Sequence, residues 1–512
     1  MLAIKYMVTF LSYLKRFDRF KNLDKSIVIV KGEECLEMTT MTATATATAK
    51  GTDKVRIVSW DELESHKSVD SCWICVDNKA YDVTEWIKCH PGGKHAILNV
   101  GGRDCSDLVK QFHVASSWTG RIKKMYVGDM GEKNESRMKV KGNAAFAEEC
   151  RQLTQTMEKS GWYKPDPSYF FNKTMHIFAI FAVAWFLVIK GAADGKLWMQ
   201  YLGGFVTGIF WQQVNFLGHD AGHGSVMKSK YWCDWYGLLV GNFLSGLSIA
   251  WWKHSHYTHH VVTNVLSYDP DIQHLPVFAV DTKFFQGFYS YYWDHNVKFD
   301  KLSQFFVSFQ HILFYPVMTI SRLLLWVQAI GHVLTHPNCP NRMREVCGLI
   351  GFYSWWIFMC SFLPTWTSLM LFVYLACVGV SLIHVQICLS HFCMEIVDAV
   401  PYEQQDESFF EFQLRTSLDV ECHPWMDWIH GGLQFQVVHH LFPRVPRHRL
   451  RELSRIVQTM CDKHGITYHH YGFLEANRMT MVHMANVARE ARNGKLVDFK
   501  DTVVFHGMNL VG

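Results

Sequence analysis

The sequence predicts a chain in two parts: a small soluble α+β domain, followed by an all-α domain with four membrane-spanning helices in two hairpins. Its 512 residues are more than a single domain usually contains. The mean hydropathy of −0.01 is typical of a polar segment averaged with an apolar one. Long apolar runs begin only after Pro167, which places the soluble domain first.

Composition excludes several classes of protein. Hydrophobic residues make up 49% of the chain, aromatic residues 15% and charged residues 19%, which excludes intrinsic disorder as its general state. A net charge of +4 without a long basic run gives no sign of a nucleic-acid partner. The 15 cysteines are scattered and odd in number, which argues against a secreted disulfide scaffold. The unusual feature is the count of 28 histidines.

The polar N-terminal part divides into three segments. Residues 1–50 contain a mixed basic and apolar stretch and a Thr-Ala tract, and are predicted to be a disordered or targeting leader. Residues 51–130 are predicted to form the small domain, with paired strands at 72–76 and 79–83. Residues 131–166 are charged and polar, and are predicted to be a linker with some helical pattern.

Four apolar runs in the second part are each close to the roughly 20 residues that cross a bilayer. They lie at 174–189, 197–217, 346–363 and 366–389. Short connections join them pairwise, which predicts two spanning hairpins. Two further runs, 235–250 and 305–334, contain polar breaks and are predicted to be interfacial or buried amphipathic segments. The membrane domain is predicted to cover residues 167–475, with a C-terminal tail at 476–512.

Two hairpins would place residues 1–170, 218–345 and 391–512 on the same side of the membrane. Those segments carry nearly all the Lys and Arg residues, whereas the Pro364-Thr365 turn carries no charge. The positive-inside rule therefore predicts that these segments face the cytoplasm.

The small domain contains a pattern suited to binding haem. His90 is followed by Pro91-Gly92-Gly93, a rigid turn without bulky side chains that lets a flat macrocycle approach the backbone. With His113, it offers two imidazoles for the two axial positions of a haem iron, which leaves no position open for a substrate. Such a haem transfers electrons. The alternative is that the His90 turn caps a helix and that His113 is an ordinary core histidine. It does not explain why the motif, the spacing of the two histidines and the predicted domain pattern all suit a haem.

Residues 57–130 resemble cytochrome b5. The match includes His90-Pro91-Gly92-Gly93, Gly101-Gly102-Arg103-Asp104 and Tyr126-Val127-Gly128. The resemblance implies haem b with bis-histidine ligation by His90 and His113.

Three histidine clusters follow in the membrane domain. His219 and His223 are spaced i, i+4, which puts both rings on one helical face. The other two clusters repeat a spacing of i, i+3 and i+4. They are His256, His259 and His260 in the second cluster, and Gln436, His439 and His440 in the third. Seven imidazoles exceed the needs of one tetrahedral zinc ion and indicate two metal ions. A non-haem di-iron centre that activates O2 would also explain the attached electron carrier.

The three clusters resemble those of the membrane-bound fatty acyl desaturases, over about residues 57–470. The likeness is to the front-end branch, which has an N-terminal cytochrome b5 domain and Gln in place of one histidine. It implies that the seven histidines ligate two non-haem iron ions, with Gln436 beside or on the metal and His391 as a further ligand. Val437-Val438 departs from the Ile-Glu frequent in this branch.

Other polar residues near the clusters have less defined roles. Asp269 and Asp271 are expected either to orient ligand imidazoles or to cap a helix. Five further histidines are each expected to be donors to ligands more often than ligands themselves. They are His254, His274, His423, His430 and His448.

The resemblance implies an O2-dependent lipid desaturase, an oxidoreductase of lipid metabolism. The motifs look most like those of sphingolipid Δ8 desaturases, which act on the long-chain base of a ceramide. The alternatives are a Δ6 or Δ5 acyl desaturase, a cytochrome b5-fused lipid hydroxylase, and a membrane electron carrier without metal in its clusters. The expected partners are an NADH-cytochrome b5 reductase, the lipid substrate and the bilayer. The expected location is the endoplasmic reticulum membrane, with both sites facing the cytoplasm.

Overall fold

The computed structural model describes residues 55–113, 120–132, 142–398 and 407–494. The predicted leader, residues 1–50, lies outside the described residues, as does the end of the predicted tail. The small domain is an α+β unit, as predicted. Its five-stranded sheet has the order β1-β5-β4-β3-β2. The strands are β1 Ile57–Val58, β2 Lys67–Ser68, β3 Ser71–Val76, β4 Lys79–Asp82 and β5 Tyr126–Met130.

The two central strands of this sheet are joined by the predicted hairpin turn. β3 and β4 pair antiparallel, with Val76 opposite Lys79. Asp77 and Asn78 both have positive φ, at 51° and 58°. Asn and Asp tolerate this conformation better than other non-glycine residues, and a two-residue turn of this kind matches the twist of the strands.

Short helices cover the sheet and carry the haem-type motif, and four of them lie wholly within the described residues. They are α1 Trp60–Ser65, α2 Thr84–Ile87, α3 His95–Leu98 and α4 Ser106–Phe112. His90 lies in the turn between α2 and α3, and His113 caps the C-terminal end of α4. The small domain therefore presents its two predicted ligands from two separate connections.

The predicted linker contains a packed helix. α5 (Ala144–Ser160) buries Phe146, Cys150 and Met157 in a core shared with both domains. Asn143 caps the helix by accepting from Phe146 N, and Gly161 ends it in the left-handed conformation (φ 76°). The part of the linker that the structure describes is thus a structural element between the domains.

The remainder of the chain is helical. Its α-helices among the described residues are α6 Pro167–Ala193, α7 Leu197–Gly222, α8 Lys230–Gly237, α9 Ile249–Val261, α10 Lys301–Ser308, α11 Gln310–Thr335, α12 Arg342–Cys360, α13 Trp366–Leu389, α14 Phe409–Thr416, α15 Asp427–His430, α16 Gln436–Leu441, α17 Leu450–His464 and α18 Phe473–Asn493. A π-helical segment, Leu238–Leu244, follows α8. The strands β6 Phe288–Ser290 and β7 His295–Val297 form a hairpin, and β8 Asp419–Glu421 pairs with β9 His470–Gly472.

Within the described ranges, three helices are long and apolar enough to cross a membrane: α6, α11 and α13. The predicted runs 197–217 and 346–363 form α7 and α12, which are not among them. Polar residues lower the hydropathy of these two helices, such as the buried Gln212 of α7 and Glu345 of α12.

Residues 305–334, predicted to be an interfacial or buried amphipathic segment, contain α11, whose length and composition alone would also suit a membrane span. The polar break that suggested otherwise is Arg322, which is fully buried and lies over the rings of Trp211 and Trp326 at 5.3 and 5.6 Å. Its stem and guanidinium face the protein, so the outer face of the helix stays apolar.

The predicted tail begins inside α18. This helix buries Met484, Val487 and Ala491 against the core formed by α10 and α11. Residues 476–494 are therefore part of the packed membrane domain rather than a tail.

Candidate metal centre and haem site

The structure brings the three histidine clusters into one buried region, where they form two groups. His219, His223, His256 and His439 make up the first group, and His259, His391 and His440 make up the second. In each group, one possible ligand atom per residue lies within 4.8 Å of the others. His260 lies between them: its ring stacks on His440 at 4.1 Å, and its Nε2 is 3.0 Å from His256 Nε2.

Four helices deliver these side chains. α7 ends at the first cluster, so that His219 lies in its last turn and His223 at its C-cap. α9 carries the second cluster and α16 the third. His391 follows the end of α13. Because α7 and α13 pack along each other, their ends place distant parts of the sequence together.

Two buried carboxylates fix the helices that carry the clusters. Glu345 of α12 accepts from Asn242 Nδ2 at 2.6 Å and from Ser248 Oγ at 2.7 Å. Ser248 is the N-cap of α9, so this carboxylate anchors the start of the second cluster. Asp220, between the two histidines of the first cluster, pairs with Arg447 at 2.8 Å and ties α7 to the segment after the third cluster.

The nitrogen atoms of the groups fit metal ligation. His256 Nε2 lies 3.0 Å from His223 Nε2, so that ring nitrogens from two helices converge on one point. The Nε2 atoms of His219, His439 and His440 are buried and have no hydrogen-bond partner among the described residues. Burial lowers the pKa of His439 and His440, which favours the neutral imidazole that binds metals.

Hydrogen bonds from residues outside the set of candidate ligands orient the rings of the second group. His259 Nδ1 donates to Asp269 Oδ2 at 2.9 Å, and His391 Nδ1 donates to the Thr416 carbonyl at 3.2 Å. His440 Nδ1 lies 3.0 Å from Gln413 Oε1. In each ring, a bond at Nδ1 leaves Nε2 for a metal.

Asp269 both orients a ligand imidazole and caps a helical turn, the two functions that the sequence allows as alternatives. It holds His259, and it caps the 3-10 turn Pro270–Ile272 by accepting from Asp271 N at 2.9 Å. Burial opposes the charged form of His259, but the carboxylates of Asp269 and Asp271 outweigh burial and raise its pKa to about 9.

The remaining predicted residues lie around the groups. Gln436 lines the cavity described below, and its Oε1 is buried with no partner in the part of the chain that the structure describes. None of the five further histidines that the sequence places near the clusters belongs to either described group. His254 lies at the junction with the small domain, His274 contacts Asp271 O, His423 caps a 3-10 turn, His430 contacts Gln386, and His448 lies near Tyr169.

Sequence spacing did not indicate several residues that orient the groups. Gln413, Thr416 and Arg447 lie outside the histidine motifs, and only the fold brings the first two to His440 and His391 and the third to Asp220. No signal in the sequence indicates Gln413, because α14 also carries Glu411, Arg415 and Thr416, and only the fold buries Gln413 fully.

The small domain forms the predicted pair of facing imidazoles. The ring centroids of His90 and His113 are 6.1 Å apart. His90 Nδ1 lies 3.3 Å from Gly93 O, and His113 Nδ1 lies 3.1 Å from Val109 O. Both backbone oxygens accept, so Nε2 of each ring is left to bind an ion between them. Burial lowers the pKa of His90 to about 4, which keeps its ring neutral.

The haem-type turn rests directly on the second histidine cluster. A Cβ at Gly92 would lie 3.0 Å from the Tyr257 ring, and one at Gly93 would lie 2.1 Å from His254 Nδ1. Glycine is therefore required for this close approach. The ring of Phe112, next to His113, meets those of Tyr257 and His260 edge to face at 6.0 and 5.8 Å.

A polar clamp holds the small domain in this position. Arg444 donates from Nε to Gln111 O at 2.9 Å and from Nη2 to Lys110 O at 3.1 Å. These carbonyls lie in the last turn of α4, where a cation interacts favourably with the helix dipole. Asn338 Nδ2 also donates to Lys88 O at 2.7 Å. The contacts bring the two histidine sites together within one chain.

A cavity of about 340 Å³ leads to the metal-type groups. Its walls come mainly from α9, α11, α13 and the segment 270–278. Ligand candidates at its inner end are His219, His256, His259 and His391. Apolar residues such as Leu324, Leu325 and Ile387 line much of the remainder. A cavity of this kind suits a hydrocarbon chain.

The fold and the two sites define a class: a membrane oxidoreductase with a fused cytochrome b5-like domain. Two family models match, Fatty acid desaturase over residues 196–472 and Cytochrome b5-like Heme/Steroid binding domain over residues 59–131. The chain belongs to the fatty acid desaturase family, and the predicted resemblance is confirmed.

Similar proteins come from plants and yeasts. The chain is 35% identical to Delta(8)-fatty-acid desaturase 2 of Arabidopsis thaliana, with 86% of this chain and 95% of the relative covered. It is 36% identical to Acyl-lipid (9-3)-desaturase of Borago officinalis, with 86% and 95% covered. It is 37% identical to Delta 8-(E)-sphingolipid desaturase of Kluyveromyces lactis, with 69% and 61% covered. Two of these relatives are named as Δ8 desaturases, and the names differ in the substrate class that they give.

Proposed function

We propose that the chain introduces a Δ8 double bond into the long-chain base of a ceramide or related sphingolipid. The observation that carries the proposal is the meeting of an apolar cavity with two groups of buried imidazoles. An unactivated methylene C–H bond needs a metal oxidant, because an acid and a base alone do not attack it.

In this proposal, His90 and His113 hold haem b, and the two described groups each hold one non-haem iron ion, with His260 and Gln436 beside them. When bound, these groups supply one-electron transfer and the O2-dependent removal of two hydrogens from adjacent methylenes, with O2 reduced to water. The protein orients the ligand rings through Asp269, Gln413 and Thr416. The cavity excludes water and positions the chain.

The substrate class is supported by the yeast relatives, whose names specify a sphingolipid, at 37% identity. Plant relatives named as fatty-acid desaturases support the alternative, an acyl substrate. A hydroxylase remains a second alternative, because it could use the same ligands and insert an oxygen atom.

We further propose a four-span topology, with α11 lying along the cytoplasmic side of the membrane. Gln310, at the start of α11, contacts Ala279 and Met484, which belong to segments predicted to be cytoplasmic. Asn338, just after α11, contacts Lys88 of the small domain. Because both ends of α11 meet elements of one side, the hairpins α6/α7 and α12/α13 would be the spanning units. Endoplasmic reticulum location and an NADH-cytochrome b5 reductase as electron donor follow from the same cytoplasmic orientation.

The proposal is tested by expressing the full chain in a host that lacks Δ8-unsaturated sphingolipids. Mass spectrometry of long-chain bases and fatty acids should show long-chain bases with two hydrogens fewer. A double bond only in fatty acids would support the acyl alternative, and a main product with an added oxygen would support the hydroxylase. Cells expressing a His256→Ala variant provide the control.

A further inference from the structure

One buried histidine in the substrate cavity has no part in either site described above. His384 lies in α13, seven residues before His391, and is 6% exposed. Its side chain lines the same cavity as the metal-type groups. It belongs to neither of the described groups of possible metal ligands.

The ring of His384 is held in one orientation. Its Nδ1 lies 2.9 Å from the carbonyl oxygen of Met318, on the neighbouring α11. A carbonyl only accepts, so Nδ1 carries the hydrogen and donates. In the neutral ring with this tautomer, Nε2 is a hydrogen-bond acceptor. That atom is buried and has no partner within the described ranges of the chain.

Several other polar side chains of the cavity are paired with described residues of the protein, although Gln436 Oε1, beside the metal-type groups, is not. Gln273 donates to Leu266 O at 2.8 Å and accepts from Ser290 at 2.7 Å. Asn215 accepts from Ser245 at 2.6 Å. Ser321 donates to Met318 O at 2.9 Å. His384 thus offers an acceptor to whatever fills the cavity, whereas these neighbours are already paired within the protein.

We propose that His384 Nε2 accepts a hydrogen bond from a hydroxyl group of the lipid substrate and thereby selects a hydroxylated chain. This inference rests on the proposed desaturase function, and it specifies the substrate class. Because His391 follows the end of the helix that carries His384, the bond would also fix the position of the lipid chain relative to the metal-type groups.

Hydrogen-bond chemistry separates the two candidate substrate classes at this atom. The carbonyl of an acyl ester or thioester has no hydrogen to donate, so it leaves Nε2 unpaired. The long-chain base of a ceramide has hydroxyl groups and an amide N–H, all of which donate. A buried acceptor that stays unpaired on binding reduces affinity strongly, and a pocket built to bond a hydroxyl rejects analogues that lack it.

The test uses three variants of the full-length holoenzyme. His384→Asn keeps a polar group near the Nδ1 position but removes the acceptor at Nε2. His384→Gln places an amide oxygen close to the Nε2 position. Ser321→Ala removes a cavity hydroxyl that contacts His384 Nδ1 at 2.8 Å and leaves Nε2 in place. Haem absorbance, iron content and unfolding temperature verify that each variant is folded and loaded.

The measurement compares an N-acyl sphinganine with its 1-deoxy and 3-deoxy analogues. Equilibrium binding is measured without reductant, and kcat and KM are measured separately. We expect the wild-type chain and Ser321→Ala to bind at least one deoxy analogue about 10–100-fold more weakly, which is the effect of one unpaired buried group. His384→Asn should bind all three lipids equally, because it binds the fully hydroxylated lipid more weakly, and the loss should show mainly as a raised KM for that lipid. His384→Gln should restore part of the preference for the hydroxylated lipid.

The outcomes separate this inference from the proposed function. Equal binding of all three lipids by the wild-type chain overturns the role of His384, even if the enzyme desaturates them. Discrimination that persists in His384→Asn also overturns it. If no lipid is desaturated but binding still depends on the hydroxyl and on His384, the proposed function fails and the recognition site stands.

Discussion

The haem site and the metal-type groups of this chain are assembled from different ranges of sequence. His90 and His113 belong to one small domain, and each has its Nδ1 bonded to a nearby backbone carbonyl, Gly93 O or Val109 O. The metal-type groups combine the ends of α7 and α13 with α9 and α16, and side chains from other segments orient them. The first site therefore depends on local turns, whereas the second depends on the packing of the whole membrane domain.

This difference predicts how far the effect of a substitution extends. In the small domain, the loss of one ligand should remove one cofactor and leave the rest of the protein intact. In the membrane domain, the loss of a ligand or of an orienting residue should affect several neighbouring rings, because the imidazoles contact one another directly. Four predictions test this comparison.

The largest effect is expected for His256→Ala. His256 Nε2 lies 3.0 Å from both His223 and His260 nitrogens, so its removal changes the centre of the cluster. Desaturation should fall to background and non-haem iron should be lost, while the haem spectrum stays normal. Lipid mass spectrometry, iron analysis and absorbance measure the three quantities. A variant that keeps its iron and its activity would refute the assignment.

The second largest effect is expected for His90→Ala, which removes a predicted haem ligand from the small domain. Haem should be lost while non-haem iron is retained, the converse of the first variant. NADH-dependent desaturation should be abolished even when free cytochrome b5 is added, because the small domain covers the second cluster through Gly92 and Tyr257. Full activity of this variant with free cytochrome b5 would show that the fused domain is replaceable.

A smaller effect is expected for Asp269→Asn. Asp269 accepts from His259 Nδ1 at 2.9 Å, so it holds the hydrogen at Nδ1 and leaves Nε2 for the metal. Loss of an orienting carboxylate typically costs about 10–100-fold in metal affinity. In a chelator titration, the iron content of the variant should fall at a lower chelator concentration than that of the wild-type chain. As a matched control, Asp281→Asn replaces another capping aspartate, which belongs to neither described group.

The same contrast explains what the sequence could predict. The His90-Pro91-Gly92-Gly93 turn and the i, i+4 spacing of His219 and His223 are local patterns, and local geometry follows from them directly. His391 lacks such a pattern, and only the resemblance to a family indicated it. The structure places its ring 4.7 Å from that of His259.

Residues that orient the clusters could not be predicted, because their positions depend on tertiary packing. Gln413 and Arg447 lie far along the chain from the residues that they contact, Thr263 and Asp220. The covering of Arg322 by two tryptophans was also beyond local pattern, because it arises only when α7 and α11 pack. Sequence periodicity records which face of a helix is apolar, but not which helix covers its polar residues.

The smallest effect is expected for Arg444→Ala, which acts on the junction between the two sites. Arg444 binds the carbonyls of Gln111 and Lys110 at the end of α4, and each such bond to a charged group contributes about 1.5–3 kcal/mol. Its loss should leave haem and iron contents normal but loosen the small domain.

Desaturation by Arg444→Ala should fall by several-fold and should respond to added free cytochrome b5, and limited proteolysis should cut between the domains faster. Arg478→Ala is the matched control, because Arg478 pairs only with Glu475 on the exposed side of α18 among the described contacts. Equal proteolysis and equal activity of the two variants would show that packing at Gly92 and Phe112, rather than the Arg444 clamp, holds the domains together.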